Sequence, residues 1–514
     1  MSNKALLPNS SGPISSGKVY LIGAGPGDPE LITLRGVQCL RKADVVLYDY
    51  LANPLLLRYL KKDVEKHCMG RHGQGKLWSQ EDINSTLVKQ AQSGKIVVRL
   101  KSGDPTVFAR AADEIEPLLE NNIPFEIVPG ITTALAASSC AGIPVTHSGL
   151  SSAVALITGH EKPGKDEQAV NYKALADFPG TLVIYMGVTT APKWAASLIE
   201  HGKDPTTPVA IIRRCSWPDQ SSLLCELQDI PKHLHKGSKI RPPVIVVIGE
   251  VASLGPRYAW FEQRPLFGQQ ILITRPEHQA DQLRMPLAEL GADVYVQPSI
   301  EIAPPKNWDA VDDAINRMRE FDWIVFSSTN GVRSLMDRVL ELGRDLRIFG
   351  NTKIAAIGSG TAAQLSEYHL TADCVPEEYR AEALVASLQS EASGKKFLLP
   401  RASRGRDVLP NGLTAAGGTV EQVIVYQSTD RETCTEEVEQ FLDHNTFNWV
   451  ITSSSAIARA TVNLLGDQLK ESKIASISPI TSQTLRELGY EPSAEATEYT
   501  MDGIVAAILE AEAK

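Results

Sequence analysis

Three glycine-containing turns each follow a predicted strand in the first half of the chain. They are GAGPGDP at residues 23–29, SGDPT at residues 102–106 and PGITT at residues 129–133. A glycine-rich turn at the carboxyl end of a strand lets a ligand approach the backbone closely. The sequence therefore predicts a small-molecule site along one edge of a sheet.

The first turn lies where a dinucleotide-binding loop would lie, and Asp49 ends the next strand about 20 residues later. Three features argue against a nicotinamide cofactor. Asp28 replaces the third glycine, so that a carboxylate would face the phosphates. Pro26 removes a backbone N–H from the loop, and Pro29 begins the helix directly behind Asp28. A dinucleotide-dependent oxidoreductase is therefore the disfavoured interpretation.

Composition bounds the remaining classes of function. The chain has 514 residues, of which 43% are hydrophobic and 22% charged, with a formal net charge of -10. This length predicts about three or four compact units. The acidic balance and the lack of any run of about 18 uncharged apolar residues argue against nucleic-acid and membrane partners. Seven cysteines without a CxxC pair predict a cytoplasmic protein without a metal site.

The order of elements predicts an α/β fold, because short β-branched runs alternate with amphipathic stretches. The pattern lapses into proline, aromatic and charged residues between positions 255 and 268, and a new strand then begins. The predicted organisation is a flexible tail (1–17), a first enzyme region (18–255), a linker (256–267) and a second region (268–514).

The second region contains an internal repeat. ILITR at residues 271–275 resembles FLLPR at 397–401, and FDWIVFSS at 321–328 resembles FNWVITSS at 447–454. The same offset of 126 residues relates three pairs, Arg275 and Arg401, Gly291 and Gly417, and Trp323 and Trp449. This repeat predicts two similar α/β lobes with a ligand cleft between them. A structural duplication without a shared site is the alternative.

Seven motifs within residues 18–254 resemble the tetrapyrrole methylase family. In chain order they are GAGPGDPELITLRG, VVLYD, VVRLKSGDPTVFAR, VPGITTALAASSCAGIPVTH, LITGH, LVIYMG and RPPVIVVIGEV. Within that family they are most similar to the uroporphyrinogen-III C-methyltransferases. The resemblance implies a two-lobed α/β homodimer that binds S-adenosylmethionine between its lobes. It also implies methylation of uroporphyrinogen III at C2 and C7 to give precorrin-2.

The same resemblance implies a set of site residues. The positions that would contact S-adenosylmethionine are Pro26, Ser102, Gly103, Asp104, Val107, Thr132, Thr133, Met186 and Cys215. Asp104 is expected to bind the ribose or the amino group, and turn formation is its alternative role. Asp49 is the expected base, with helix capping as the alternative. Arg71 stands where the family has a lysine. Because arginine is too weak an acid to release a proton, we expect Arg71 to hold a substrate carboxylate at the catalytic centre.

Residues 269–514 resemble the uroporphyrinogen-III synthase family. The matching pieces are ILITRP, WIVFSSTNGV, AAIGSGTA, LLPRASRGRDVLPNGL, VIVYQS and WVITSSSAI. The resemblance implies paired flavodoxin-like lobes that cyclise hydroxymethylbilane with inversion of ring D and use no cofactor. It also implies that the chain crosses between the lobes near Ser299 and again near residues 426–429.

In this second region Tyr426 matches the family's candidate acid near the leaving hydroxyl, and a packing or hinge role is the alternative. The implied substrate-binding residues are Arg275, Arg401, Ser328, Thr329, Ser454 and Thr481. Carboxylate binding by arginines and by backbone N–H groups at helix starts is the expected chemistry. The serines and threonines could instead be simple helix caps, and Arg404 and Arg406 could be solvated loop charges.

These observations predict a cytoplasmic, bifunctional enzyme that acts on small-molecule tetrapyrroles in siroheme or cobalamin synthesis. Two alternatives remain. One is a methyltransferase for a different corrin intermediate or even for a protein. The other is a two-lobed solute-binding protein, which a signal peptide would favour, and no such segment is recognisable.

Overall fold

The computed structural model describes residues 17–70, 78–160 and 170–513. The chain divides into two compact units, Met1–Phe267 and Gly268–Lys514. Both units consist of β-sheets covered by helices, so the predicted α/β class is confirmed. Arg71 lies outside the described residues, and so does the predicted tail apart from its last residue, Gly17.

Strands and helices alternate through the described part of the first unit. Its strands are β1 (Lys18–Gly23), β2 (Val45–Tyr48), β3 (Glu65–Cys68), β4 (Ile96–Lys101), β5 (Phe125–Val128), β6 (Val154–Thr158), β7 (Thr181–Tyr185), β8 (Pro208–Arg213), β9 (Ser221–Glu226) and β10 (Val244–Ile248). Its helices are α1 (Leu34–Leu40), α2 (Gln80–Gln92), α3 (Ala111–Glu120), α4 (Thr133–Cys140), α5 (Tyr172–Ala176), α6 (Ala191–Glu200), α7 (Ile230–His233) and α8 (Gly255–Tyr258).

These strands form two five-stranded sheets. The first is parallel throughout, in the order β3-β2-β4-β1-β5. Alternate side chains of β1 enter different cores: Ile22 packs with residues of α1, and Leu21 packs with residues of α2 and α3. A strand that is buried on both faces must be apolar along its whole length, which explains the unbroken hydrophobic run. The second sheet has the order β6-β7-β10-β8-β9 and is parallel only between β6 and β7.

The segment 256–267, which the sequence predicts as a linker, packs against the first unit. Phe261 is 3% exposed and belongs to the same core as residues of α4, β8 and β10. Phe267 packs against that core, and Leu266 is fully buried. The segment therefore contributes apolar surface to the first unit rather than spanning open solvent.

The second unit also alternates strands and helices. Its strands are β11 (Gln270–Ile273), β12 (Asp293–Val296), β13 (Ile300–Ala303), β14 (Trp323–Phe326), β15 (Lys353–Ala356), β16 (Lys396–Ala402), β17 (Thr419–Asp430), β18 (Trp449–Thr452), β19 (Lys473–Ser476) and β20 (Ala494–Glu495). Its helices are α9 (Glu277–Glu289), α10 (Asp309–Asn316), α11 (Thr329–Glu341), α12 (Ser359–Glu367), α13 (Ala381–Leu388), α14 (Val408–Ala415), α15 (Glu436–Leu442), α16 (Ser455–Leu465), α17 (Pro479–Glu487) and α18 (Met501–Glu512).

Each lobe of the second unit contains one five-stranded sheet. The sheet of lobe A has the order β12-β11-β18-β19-β20 and is parallel. Numbered within the lobe this order is 2-1-3-4-5, which is the flavodoxin-like arrangement predicted from the sequence. The sheet of lobe B has the order β13-β17-β16-β14-β15, in which only β13 is antiparallel to its neighbour.

The chain crosses between the lobes as an antiparallel ribbon. β13 pairs with the second half of β17, from Ile300 opposite Asp430 to Ala303 opposite Gln427. The crossings therefore lie near Ser299 and residues 426–429, as the sequence predicts. As a result, each lobe combines part of one copy of the repeat with part of the other copy. Lobe A takes β11 and β12 from the first copy and β18 and β19 from the second.

Candidate active sites

The three predicted turns of the first unit meet at the carboxyl edge of its parallel sheet. The backbone N–H of Gly25 donates to the carbonyl of Gly103 at 3.2 Å, and the N–H of Gly103 donates to the carbonyl of Gly25 at 2.8 Å. A Cβ on Gly130 would lie 2.2 Å from the Gly103 carbonyl oxygen and 2.6 Å from the Cα of Gly23. Because no side chain fits between them, the turns form one continuous backbone surface.

Asp104 joins two of these turns. Its Oδ1 accepts hydrogen bonds from the backbone N–H and the hydroxyl of Thr106, at 2.7 and 2.5 Å, and its Oδ2 accepts from the N–H of Gly130 at 3.0 Å. Burial opposes ionisation, but these hydrogen bonds outweigh it and hold the pKa of Asp104 below its usual range. These contacts match the turn-forming alternative, and a cofactor contact of Asp104 stays a prediction.

Asp49, directly after β2, belongs to a partly buried charge network. Its Oδ1 accepts from Nη2 of Arg99 at 2.5 Å, and its Oδ2 accepts from the N–H of Ser102 at 3.1 Å. Arg99 Nε and Lys101 Nζ both donate to Oε1 of Glu114, at 3.1 and 2.6 Å. Burial and the neighbouring Arg99 lower the pKa of Lys101. The Asp49 carboxylate thus binds the cation Arg99 and a backbone N–H at the end of a strand, and it does not cap a helix.

Tyr185, the last residue of β7, joins the second sheet to these turns. Its hydroxyl lies 2.7 Å from Oγ1 of Thr132 and accepts from the N–H of Ala134 at 2.9 Å. Burial raises the pKa of Tyr185 and keeps the phenol neutral. The Phe108 ring lies 5.0 Å from the Tyr185 ring, and Met186, the next residue, is 51% exposed. The sequence motifs include the aromatic residues Phe108 and Tyr185, but only their neighbour Met186 was predicted as a site residue.

Cys215 is buried in a turn that faces the first glycine loop. The neighbouring Ser216 accepts at Oγ from the backbone N–H of Asp28 at 3.0 Å. A Cβ on Gly27 would lie 2.3 Å from the Trp217 indole. The structure thus brings the predicted cofactor positions to one edge, namely Pro26, Ser102, Gly103, Asp104, Val107, Thr132, Thr133, Met186 and Cys215.

Strained backbone is concentrated at the same edge. Within the described residues seven non-glycine residues have positive φ. One is the predicted cofactor position Met186, and four lie close to such positions in the chain: Phe108, Arg110, Arg214 and Ser216. Each such conformation costs about 1–3 kcal/mol and persists only where the surroundings enforce it. This concentration favours the edge as a candidate functional site independently of any motif.

In the second unit four of the predicted residues lie where the strand order reverses in each sheet. In lobe A, Arg275 and Ser454 each follow one of the adjacent strands β11 and β18 by two residues. In lobe B, Arg401 is the last residue but one of β16, and Ser328 follows the adjacent β14 by two residues. Doubly wound sheets bind ligands at this reversal point.

The two predicted serines and two predicted threonines lie at helix starts. Ser328 and Ser454 are the N-caps of α11 and α16, and each accepts one backbone N–H of its helix, at 3.0 and 3.2 Å. Thr329 is the first residue of α11. Thr481 is 2% exposed, and its hydroxyl lies 3.3 Å from that of Ser478. These contacts match the capping alternative for both serines, and substrate contacts of all four predicted residues stay predictions.

Tyr426 lies on β17 just before the chain returns to lobe A. It is 7% exposed and belongs to the core of lobe B. Its hydroxyl lies 3.1 Å from Oγ of Ser328 at the start of α11. Burial raises the pKa of Tyr426, although hydrogen bonds from Ser328 and Asn330 oppose that rise. The ring therefore packs in the core while its hydroxyl reaches a helix start.

Arg275 and Arg401, which the repeat relates, have different surroundings. Arg401 Nη1 donates to Oδ1 of Asp407 at 2.8 Å and also to Gln422. Arg275 Nη2 donates to Oε1 of Gln279 at 2.9 Å, and Nε of Arg275 is buried without a hydrogen-bond partner among the described residues. Burial lowers the pKa of Arg275 to about 10.

Two loop arginines considered in the sequence are paired. Arg404 lies 2.6 Å from Asp430, and Arg406 lies 3.2 Å from Glu382. All four side chains are well exposed, so these pairs contribute little to stability. This arrangement matches the alternative that both arginines are solvated loop charges.

The lobes of the second unit touch through polar side chains that sequence reasoning missed. Gln279 Nε2 donates to Oδ1 of Asn330 at 2.7 Å and lies 3.4 Å from Oγ1 of Thr329. His278 Nε2 lies 3.1 Å from the same Asn330 oxygen. Asn330 was visible in a helix-start motif, whereas nothing in the sequence marks Gln279.

The described ranges offer neither a membrane-spanning helix nor a metal cluster. No helix there is both long enough and apolar enough to cross a membrane. No group of three or more histidine, cysteine or acidic side chains there could hold a metal ion. All seven cysteines of the chain are free thiols.

Two family models match the chain. The model of tetrapyrrole (corrin/porphyrin) methylases matches residues 18–231. The model of uroporphyrinogen-III synthase matches residues 281–506. The matched ranges fall in the first and second units respectively.

Curated relatives show the same division. The chain is 33% identical over 491 residues to porphyrin biosynthesis protein HemD of Ruminiclostridium josui, covering 95% of each protein. An S-adenosyl-L-methionine-dependent uroporphyrinogen III methyltransferase of Methanosarcina barkeri is 45% identical over 46% of this chain and 93% of its own length. Siroheme synthase 1 of Yersinia enterocolitica is 44% identical over 50% of this chain and 53% of its own length.

Proposed function

Because the chain belongs to the family of porphyrin biosynthesis proteins that joins a tetrapyrrole methylase to a uroporphyrinogen-III synthase, we propose that it performs two consecutive steps. The second unit cyclises hydroxymethylbilane to uroporphyrinogen III, with loss of water and inversion of ring D. The first unit methylates that product at C2 and C7 to give precorrin-2.

The meeting of three glycine turns with five strained residues is the observation that carries the methyltransferase proposal. Methyl transfer needs the donor held in line with a carbon nucleophile, so positioning is the main contribution of the protein. S-adenosylmethionine, which the archaeal relative's name includes, would supply the electrophilic methyl group. The backbone surface at Gly103 and Gly130 and the exposed side chains of Phe108 and Met186 offer a small polar-apolar ligand both kinds of contact.

In this proposal Asp49 takes a proton as the methylated pyrrole rearranges. Arg99 and the N–H of Ser102 each bind one oxygen of its carboxylate, so the group has a fixed orientation at the strand edge. Asp104 holds the second and third turns at a fixed separation, and Arg71 holds a substrate carboxylate.

In the synthase, Tyr426 donates a hydrogen bond to the departing hydroxyl of hydroxymethylbilane. Its neutral phenol and its contact with Ser328 at a helix start support this role. Thr329, Ser454 and Thr481 contribute helix-start contacts for substrate carboxylates. The arginines at the two strand-order reversals provide the cations, as expected for a substrate with many carboxylates.

We further propose a homodimer formed through the first unit and a cytoplasmic location. The edge strand β6 exposes Val154 and Leu156, each at 38%, and Leu135 of α4 is 52% exposed. A second copy could cover such apolar side chains. Seven free thiols are consistent with a reducing compartment. The siroheme synthase relative supports siroheme as one product branch, and cobalamin is the other.

Anaerobic incubation of the full chain with hydroxymethylbilane and methyl-labelled S-adenosylmethionine tests both steps. The expected product is a type-III tetrapyrrole that carries two labelled methyl groups. Uroporphyrinogen III without label would overturn the methyltransferase step, and a type-I product alone would overturn the synthase step.

Two variants separate the units. Asp49→Asn should lower methyl uptake by about 100-fold, because it removes the proposed base. It should leave cyclisation within twofold of wild type, because Asp49 belongs to the first unit. Tyr426→Phe should slow formation of the type-III isomer at least tenfold without reducing methylation of added uroporphyrinogen III. An unchanged type-III rate in Tyr426→Phe would leave Tyr426 a packing residue.

A further inference from the structure

Lobe A contains two unsatisfied polar atoms at its strand-order reversal. Nε of Arg275 and Oγ of Ser453 are both buried without a hydrogen-bond partner among the described residues. They follow the adjacent strands β11 and β18. Ile273 and Ile451 face each other on these strands, and Arg275 and Ser453 each lie two residues further along the chain. A buried cation without a counter-ion is costly unless something binds it. The geometry at this point therefore suits an incoming anion.

The repeat shows why this cation has no internal acid. Asp407, which pairs with Arg401, corresponds to Asp281 at the offset of 126 residues. Asp281 pairs instead with Arg284, at 2.9 Å. The second copy has Pro410 where the first has Arg284. Arg284 thus pairs with Asp281, the acid that would otherwise be available to Arg275. Arg401, in contrast, retains the corresponding acid, Asp407.

A side-chain amide, rather than an acid, contacts the guanidinium of Arg275. Gln279 accepts from Arg275 through Oε1 and donates to Asn330 of lobe B through Nε2, at 2.9 and 2.7 Å. The corresponding residue beside Arg401 is Gly405, which has no side chain to do this. One neutral side chain therefore connects the unpaired cation of lobe A to the helix start that adjoins Tyr426.

We propose that Arg275, whose charge no internal acid compensates, is a stronger anchor than Arg401 for one carboxylate of the linear tetrapyrrole, and that Gln279 occupies the place of that carboxylate until substrate binds. A carboxylate accepts charge-assisted hydrogen bonds that are stronger than those of an amide, so it displaces the Gln279 oxygen from the guanidinium. The released carboxamide keeps its donor on Asn330. This inference rests on the proposed synthase function.

Gln279→Glu tests the proposal, with uroporphyrin III as a stable octacarboxylate probe. The new carboxylate would pair with Arg275 internally and compete with the probe. Titration of the full chain should show at least tenfold weaker uroporphyrin III binding, without a lower melting temperature. Gln422→Glu is the matched control, because it places the same charge beside Arg401, and it should change binding less than twofold.

Gln279→Leu separates a displaced amide from a merely structural one. Leucine has a similar volume but cannot accept from Arg275, so binding should be as tight as in wild type or tighter. Weaker binding in this variant, unchanged binding in Gln279→Glu, equal effects of the two glutamate variants, or no binding by wild type would each overturn the proposal. Type-III product formation by the wild-type chain tests the synthase function separately.

Discussion

The two candidate sites differ in what holds them together. In the first unit, backbone hydrogen bonds join the turns, and the cations Arg99 and Lys101 are compensated by the acids Asp49 and Glu114. In the second unit, side chains such as Gln279 connect two lobes, and the buried cation Arg275 has no acidic partner among the described residues. The charges of the first site therefore compensate one another within the protein, whereas the second site keeps a buried charge for which we propose a carboxylate of the ligand as the partner.

This difference matches the demands of the two proposed reactions. Transfer of a methyl group tolerates little displacement, because an error of about 1 Å can cost about 100-fold in rate. A glycine-lined edge with no room for side chains provides that precision. A flexible polycarboxylate instead needs cations that bind it in one folded shape, and an unpaired arginine between two lobes is suited to this task.

Gly130→Ala should give the largest effect, because its Cβ would collide with the backbone of two turns. We expect methyl uptake to fall by more than 100-fold while type-III cyclisation stays within twofold of wild type. Labelled-methyl and cyclisation assays on one preparation measure both. Gly149→Ala is the control, since its Cβ meets nothing closer than 3.7 Å. Normal methyl uptake in Gly130→Ala would show that close contacts between the backbones of the turns do not form the first site.

Glu114→Gln should destabilise the first unit by about 3 kcal/mol, because it leaves two buried cations with one acid. Hydrogen exchange should become faster in β1 and β4 but not in β11 and β18. Glu116→Gln, on the exposed face of the same helix, is the control. Unchanged exchange in β4 would mean that the network does not hold the first site.

Arg275→Met should do the opposite in the second unit and raise its stability by about 1–2 kcal/mol at pH 7 while weakening uroporphyrin III binding. The pKa of Arg275, about 10, lies below its ordinary value. The unfolded chain therefore binds the proton more tightly, and the cost of the buried charge is fully present below pH 10. Chemical denaturation measures this gain. Arg401→Met should instead lose up to about 1 kcal/mol with its ion pair, and equal effects of the two variants would remove the contrast between the lobes.

Asp104→Asn should have the smallest effect on stability, a loss of about 1 kcal/mol at pH 7. Since the pKa of Asp104 is depressed in the folded protein, its contribution is present above the ordinary carboxylate pKa and is lost as the pH falls through the lowered pKa. Denaturation at pH 7 and pH 3 checks this sign.

Asp204→Asn is the matched control for Asp104→Asn. Asp204 makes the same two hydrogen bonds, to the N–H and the hydroxyl of Thr206, but its turn lies away from the three glycine turns. Methyl uptake should therefore fall in Asp104→Asn and not in Asp204→Asn. A similar loss in both variants would show that Asp104 acts only on its own turn.

Much of the first site was predictable because its positions follow strands in short, continuous motifs. Carboxyl ends of parallel strands meet at one edge, so Gly25, Gly103 and Gly130 had to lie close together. The contact of Tyr185 with Thr132 was not predictable, because it joins two sheets whose relative placement no local pattern encodes. Asp49 was predicted as a site residue, but its pairing with Arg99 was not predicted. Arg99 is a strand residue with two apolar neighbours, and such a pattern gives no sign of its partner.

By itself the sequence determined the α/β class, the 126-residue repeat, the two family resemblances and the turns at the strand ends. Periodicity and turn chemistry act over a few residues, so they can be read along the chain. Only the tertiary structure decided that Arg284 takes the acid otherwise available to Arg275, and that Gln279 reaches Asn330. These outcomes depend on which of several nearby partners a charged or amide group contacts, and that choice is made by packing between segments distant in the chain.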